Sequence, residues 1–373
     1  MKKNCLILKN GYVVDPETLM IEKRNISIVD GVIVPLEVVL VYGNIKIIDC
    51  EGYYVSPGFI DLHVHVFKNY TQLGIDADLV GIQQGVTTIV DAGSTGMDDY
   101  ASFKEIIRHS ETEILSFLNI SRKGLCKGLS ELANIEDLMT IEEAKELIYE
   151  PAIVGLKARM SSSVVKNSGI KPLEYARKVA DQLNLPIMVH IGNPPPSLNE
   201  IFPLLNKGDI VTHAFHGKKY GIMNEQGEMI SEAIEALERG VCFDIGHGTS
   251  SFCYETLRKF KAIYEYPFTI STDIYLKNYD HPVGSLMTTM SKLLELGFSL
   301  EQIVRKVTKE AADVLHLTEQ GTLQHGTRAD ITIFNIEETE ANLIDSEGES
   351  IVCKRLLKPY MTIRKGKVVF KNE

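Results

Sequence analysis

The chain has 373 residues, 44% hydrophobic and 24% charged, a balance that supports a large buried core in a globular protein. A formal charge of -11 argues against nucleic acid or an anionic membrane as partner, since both reward basic patches. No run reaches the roughly 18 apolar residues of a membrane span, and the apolar start ends at Lys9, too early for a signal sequence. Six scattered cysteines (Cys5, Cys50, Cys126, Cys242, Cys253, Cys353), with no Cys-x-x-Cys pair, have the pattern of reduced thiols. These features predict a cytoplasmic protein; they say little about its small-molecule substrate, and homo-oligomerisation is left open.

The predicted elements begin with short strands and turns: residues 6–8 before Asn10-Gly11, 26–29 before Asp30-Gly31, then 45–48. Strand-like and helix-like segments then alternate. Strands are predicted at 59–65, 86–91, 114–119, 153–157, 187–191, 210–213, 241–245 and 268–273. Helices are predicted at 102–110, 141–149, 172–183, 229–239 and 300–315. Short strands return at 329–334, 361–364 and 367–370, while 335–349 is polar, acidic and weakly periodic and reads as a surface excursion. The pattern predicts an α/β protein: a (β/α)8 TIM-like barrel over residues 55–325. Neither flank can bury a core alone, so residues 1–54 and 326–373 are expected to pair into a small β-sandwich domain. A doubly wound open sheet is the alternative.

Chemistry is concentrated at the strand ends. In Ser56-Pro57-Gly58-Phe59-Ile60-Asp61-Leu62-His63-Val64-His65 a period of two sets both histidines on one strand face, a natural pair of metal ligands. Barrel enzymes draw catalytic groups from the C-terminal ends of their strands. Here those ends carry His63 and His65, then Lys157, His190, His213 and Asp273. A single aspartate there would be ordinary turn chemistry; six convergent ligand-capable residues are not explained by capping or packing. Four histidines and an aspartate suit Zn²⁺, with Fe²⁺ or Mn²⁺ as alternatives. A protonated Lys157 cannot ligate, but its neutral amine can react with CO₂ to form a carbamate that bridges two cations.

The run Pro57 to His65 resembles the opening motif of the amidohydrolase superfamily, and Ile270-Ser271-Thr272-Asp273 resembles its closing aspartate. The whole chain is similar to the dihydroorotase and D-aminoacylase branch. More narrowly, Val154-Gly155-Leu156-Lys157-Ala158-Arg159-Met160-Ser161, Val189-His190-Ile191-Gly192 and Asp244-Ile245-Gly246-His247-Gly248 resemble a bacterial deacetylase group. Members of that group are often named adenine deaminases or dihydroorotases. The resemblance implies two divalent metals, with His63, His65 and Asp273 on one, His190 and His213 on the other, and carboxylated Lys157 bridging. One departure is Ala214 and His216, where the group has Cys and Asn; it leaves His213 intact and alters the loop beside it.

Such a site activates water, and Asp273 would take the proton of the nucleophile and pass it to the leaving group. Arg159 is a candidate fork for a substrate carboxylate, with His247, Tyr275 and Lys218 as further substrate contacts. Asp61 is expected to support the histidines. The expected reaction is hydrolysis of an N- or O-acyl group from a small carboxylate-bearing compound. Cyclic-amide hydrolysis and purine deamination are alternatives, and a non-catalytic scaffold is disfavoured by the complete ligand set.

Overall fold

The structure, a computed structural model, describes residues 3–147 and 149–372. Before the barrel lie β1 (Cys5–Lys9), β2 (Tyr12–Asp15), β3 (Met20–Lys23), β4 (Ile26–Val29), β5 (Val32–Val34), β6 (Ile45–Asp49) and β7 (Tyr54–Pro57). The barrel strands are β8 (Phe59–Val64), β9 (Val86–Ala92), β10 (Glu113–Asn119), β11 (Ile153–Met160), β12 (Ile187–Ile191), β13 (Ile210–Thr212), β14 (Cys242–Asp244) and β15 (Phe268–Thr269). After it come β16 (Ile331–Ile344), β17 (Ser350–Arg364) and β18 (Lys367–Lys371).

Strands β8 to β15 are rich in Val, Ile and Phe and nearly all buried, as parallel strands covered on both faces must be. They lie in sequence order in one eight-stranded parallel sheet, and a parallel bridge from Val64 to Ile274 brings its edges together. Helices cover its outside. In the helix Lys171–Leu183 the residues Leu173, Ala176, Val179, Ala180 and Leu183 are buried at helical spacing, and Asn184 ends it at a φ of 53°. The helix expected at 141–149 is Ile141–Leu147, with Ile148 outside the described residues. The helix expected at 300–315 is two, Leu300–Lys306 and Lys309–Val314. The break frees the carbonyl of Val307 to accept from the backbone N–H of Ile60 on β8 at 2.8 Å.

Strands β1, β4, β5 and β6 form a second sheet, and β2, β3, β7, β16, β17 and β18 a third. Leu6, Ile28 and Ile33 of the second meet Val13, Val55, Ile331 and Ile363 of the third in a common apolar core. Residues 335–349 are not a surface excursion but the outer half of a long hairpin, with Ile331 opposite Ile363 and Ile344 opposite Ser350. Its tip returns to the barrel. The backbone N–H groups of Ser251 and Phe252 donate to Ser346 Oγ at 2.9 Å, and that of Tyr254 donates to Asp345 Oδ2 at 2.9 Å. Among the described residues no helix is long and apolar enough to cross a membrane.

A mostly buried ion network joins the barrel to the third sheet: Arg328 pairs with Glu113 of β10 and with Asp330. Arg328→Met would leave Asp330 without its cation and Glu113 with only Arg364, 3.8 Å away, and is expected to cost about 3–5 kcal/mol. An unchanged denaturation midpoint would show that solvent takes over the pairing.

Candidate active site

The sixth and eighth barrel strands are shorter than expected, so His213 and Asp273 lie beyond Thr212 and Thr269, at φ of 65° and 47°. Left-handed backbone costs a non-glycine residue on the order of 1–3 kcal/mol and persists where the surroundings over-determine it. Here Asp61 supplies part of that constraint. Its carboxylate accepts from the backbone N–H of Thr272 at 3.0 Å and from Thr272 Oγ1 at 2.6 Å, fixing the residue before Asp273. The Asn278 side chain donates to the carbonyl of Asp273 at 2.9 Å.

The Asp273 carboxylate faces a ring of imidazoles. Its Oδ1 lies 3.3 Å from His63 Nε2 and 3.2 Å from His65 Nε2, and its Oδ2 lies 3.9 Å from His213 Nε2. Ligand atoms of His63, His213 and Asp273 all fall within 4.8 Å of one another. The His190 ring stands edge-on to His213 at 4.3 Å between centroids. Lys157 is fully buried beside them, its Nζ 3.5 Å from His63 Nε2.

Hydrogen bonds on the far side of the rings set which nitrogen faces inward. His63 Nδ1 lies 2.9 Å from Thr212 Oγ1, which itself donates to Asp244 Oδ2 at 2.8 Å, so Nδ1 carries the proton. His213 Nδ1 donates to the carbonyl of Gly246 at 2.6 Å, and His65 Nδ1 meets Ser94 Oγ at 2.8 Å. The inward Nε2 atoms of His63 and His213 are therefore lone-pair donors, and that of His213 is buried with no hydrogen-bond partner. Burial, then the neighbouring Lys157, holds His63 well below the usual imidazole range; burial carries His213 down to about 3. Neutral imidazoles anchored through Nδ1 with Nε2 free, beside a carboxylate, are the donor set of a divalent metal site.

Lys157 has its ammonium desolvated. Burial pushes its pKa down to about 7, opposed by the charge of Asp273, so a neutral amine is accessible. Burial works against the ionised form of Asp273, but the hydrogen bond from His65 and the basic groups ranged around it outweigh this and keep its pKa below the usual carboxylate value. Gly93 makes room for the lysine: at a φ of +83° it has no side chain, and a Cβ would lie 2.7 Å from Lys157 Cβ.

A cavity of about 250 Å³ opens over this cluster, with His65, Arg159, His190, Lys218, Asp273 and Tyr275 in its wall. Arg159 is already held, its Nη1 3.1 and 3.3 Å from the two oxygens of the buried Glu131. Lys218 is partly buried, and among the described residues no carboxylate lies within ion-pair distance of it. Tyr275 OH bonds Thr249 Oγ1 at 2.6 Å on the rim. His247 departs from the expected substrate contact: it is fully buried, its Nδ1 2.8 Å from the Gly248 carbonyl and its Nε2 2.6 Å from Lys292 Nζ. Ala214 and His216 are buried too, and His216 Nδ1 accepts from the backbone N–H of Lys218 at 3.2 Å, shaping the loop that presents it.

Glu131 and Lys292 carry much of this arrangement and lie outside the motifs read from the sequence, while Asp244 stands in one of them without an assigned role. Lys292 had a signal: a lysine inside the apolar run Met290-Ser291-Lys292-Leu293-Leu294.

A closed parallel barrel with a histidine–aspartate metal-site candidate at the C-terminal ends of its strands defines the class of barrel metallohydrolases. The chain belongs to the amidohydrolase family, whose model matches residues 54–369. It is 38% identical over 372 residues to a deacetylase of Enterococcus faecalis, covering 97% of this chain and 98% of that one. A deacetylase of Agrobacterium fabrum is 38% identical over 84% of this chain and 78% of its own. A solved structure described as an adenine deaminase superposes with a TM-score of 0.89 at 36% identity, covering 98% and 99% of the two chains. One described as a dihydroorotase gives 0.86 at 32%, covering 99% and 98%.

Gly93→Ala tests the space beside Lys157. It is expected to cost about 1–3 kcal/mol through the left-handed backbone alone, with a further loss from contact with the lysine. A thermal midpoint equal to that of the parent would mean the strand can shift without penalty.

Proposed function

We propose that the protein is a deacetylase-type hydrolase that removes an acyl group, through its amide or ester, from a small carboxylate-bearing compound. The observation that carries this reading is the convergence of inward-facing histidine nitrogens on Asp273, below a wall that holds Lys218, which among the described residues has no carboxylate within ion-pair distance. The names of the relatives at 38% identity support it. His63, His65 and Asp273 would hold one divalent cation and His190 and His213 a second, most simply Zn²⁺. Lys157 Nζ, neutral, would add to CO₂, its N–C bond forming as a C–O π bond opens and an N–H proton leaves, and the carbamate would offer anionic oxygen ligands to those cations. When bound, such cations supply hydroxide near neutral pH and polarise the acyl carbonyl.

The chain's own groups do the rest. Asp273 is ionised and hydrogen-bonded at the centre of the site, so it is suited to accept the nucleophile's proton and return it to the leaving nitrogen or oxygen. Lys218 is the carboxylate reader in this proposal. Arg159 is neutralised by Glu131, which leaves it a wall donor rather than a net positive charge. All six cysteines are free, which supports a reducing compartment such as the cytoplasm.

Purified, metal-loaded protein screened with N- and O-acylated amino and hydroxy acids of both hands is expected to release the short acid. Ammonia from a purine, or ring opening of a cyclic amide without an acid product, would replace this reading with a deaminase or a cyclic amidohydrolase. Elemental analysis is expected to find two divalent metals per chain. Asp273→Asn should lower turnover by at least about 100-fold with metal partly retained. Near-parental turnover in that variant would exclude Asp273 as the base.

Lys218→Met should raise KM for the free carboxylate by about 10- to 100-fold, the equivalent of one charge-assisted hydrogen bond, and leave the methyl ester unaffected. Arg159→Met exposes Glu131 as an unpaired buried charge and should impair both substrates alike. A variant pattern in which only Arg159→Met discriminates acid from ester would return the role to the arginine.

A further inference from the structure

Lys292 lies on the helix Leu286–Glu295, whose neighbouring residues Met290, Leu293 and Leu294 are core. It is fully buried, with no carboxylate within ion-pair distance among the described residues. An ammonium taken out of water this way is costly, and a methionine of similar length would pack there without that cost. Its donors are nonetheless satisfied by three acceptors: His247 Nε2 at 2.6 Å, the Pro282 carbonyl at 2.9 Å and the Ile344 carbonyl at 2.9 Å. Burial lowers its pKa to about 7.

Those acceptors come from different parts of the fold. His247 belongs to the loop after β14, and Ile344 ends the strand that leads to the hairpin tip. The loop is fastened on both sides. Towards the site, the backbone N–H of His247 donates to the Ser271 carbonyl at 3.1 Å and that of Gly248 to the Thr272 carbonyl at 2.8 Å. Gly248 lies so close to the catalytic carboxylate that a Cβ on it would be 2.5 Å from Asp273 Oδ2. Away from the site, Ser346 Oγ accepts from Ser251 and Phe252, and the Ser346 N–H donates to the Phe252 carbonyl at 2.8 Å. Thr249, Ser250 and Ser251, between these fastenings, form part of the cavity wall.

We infer that the tip of the β16–β17 hairpin is a working part of the catalytic mouth, and that Lys292, by joining His247 to Ile344, is a positioning residue that clamps residues 246–251 against Asp273. For the role of Asp273 this rests on the hydrolase reading above; the clamp itself is a statement about structure and is read without substrate.

The test uses the full-length, metal-loaded protein, its Lys292→Met and Lys292→Arg variants, and Ser346→Ala, a milder change at the hairpin tip. Hydrogen exchange followed by mass spectrometry is expected to quicken in Lys292→Met at 245–254 and 340–350 together, with the barrel strands and the metal content unchanged. On the acylated acid that the parent hydrolyses best, kcat should fall about tenfold or more with KM changed less than threefold, an effect of the size known for residues that orient ligands. Lys292→Arg, which keeps donors, should recover part of kcat, and Ser346→Ala should loosen the same two segments. The inference is overturned if exchange at 245–254 stays at the parental rate in both Lys292→Met and Ser346→Ala, or if it quickens while kcat does not move. Should Lys292→Met fail to fold, Ser346→Ala decides on both readouts. A parent that turns over no acylated acid would remove the hydrolase reading, and exchange alone would then judge the clamp.

Discussion

The mouth of the barrel is organised around one negative charge kept where burial works against it. A carboxyl group surrounded by protein would ordinarily hold its proton, and Asp273 is prevented from doing so by the hydrogen bond from His65 and the basic groups ranged around it. That arrangement works only if the carboxylate stays at one point. Its backbone is therefore pinned before it through Asp61 and Thr272, after it through Asn278, and above it by the close approach of Gly248. The strain of a left-handed aspartate is tolerable because these neighbours leave it no relaxed alternative.

Asp244 couples that point to the histidines. One of its oxygens accepts from Thr212, which orients His63, and also from Ser271, two residues before Asp273, at 2.8 and 2.6 Å. The other oxygen accepts from Thr269 on β15 at 2.9 Å. A single buried carboxylate thus references β13, β14 and β15 to one another, and the distance between imidazole and aspartate is inherited from it. Burial raises the pKa of Asp244, and the three hydroxyl donors pull against that rise. Polar groups this deep are retained for placement, since an apolar replacement would pack at lower cost.

The barrel strands were legible in the sequence because most are short apolar runs with a polar residue at or near their C-terminal end, and in a parallel barrel that residue stands at the functional end. The limits of that pattern are also physical. Periodicity cannot tell a strand residue from one just past it in left-handed backbone, so β13 and β15 read longer than they are. The partner of Arg159 lies 28 residues before it, in a loop without periodicity, so the neutralised guanidinium could not be foreseen. The hairpin failed for another reason. Glu337, Glu338 and Glu340 stand on a strand whose outer half alternates exposed and half-buried residues, and acidic residues there mimic a solvated loop. What holds it is the ladder to β17, formed between residues that no local window joins.

The third sheet sets an order on synthesis. Strand β7 is made just before the barrel, yet its hydrogen-bonded neighbour β16 is made just after it, with Ser56 Oγ and the Thr332 carbonyl 276 positions apart. A growing chain therefore completes all eight barrel strands while β7 still has an open edge, and contacts of such sequence separation are slow to form. Until the residues that follow the barrel are made, Glu113 lacks Arg328 and the loop at 246–254 lacks the hairpin tip. Closure of the sheet and fastening of the loop at 246–254 thus both wait for the last strands, and a chain stalled short of β17 would offer an unpaired strand edge to its neighbours.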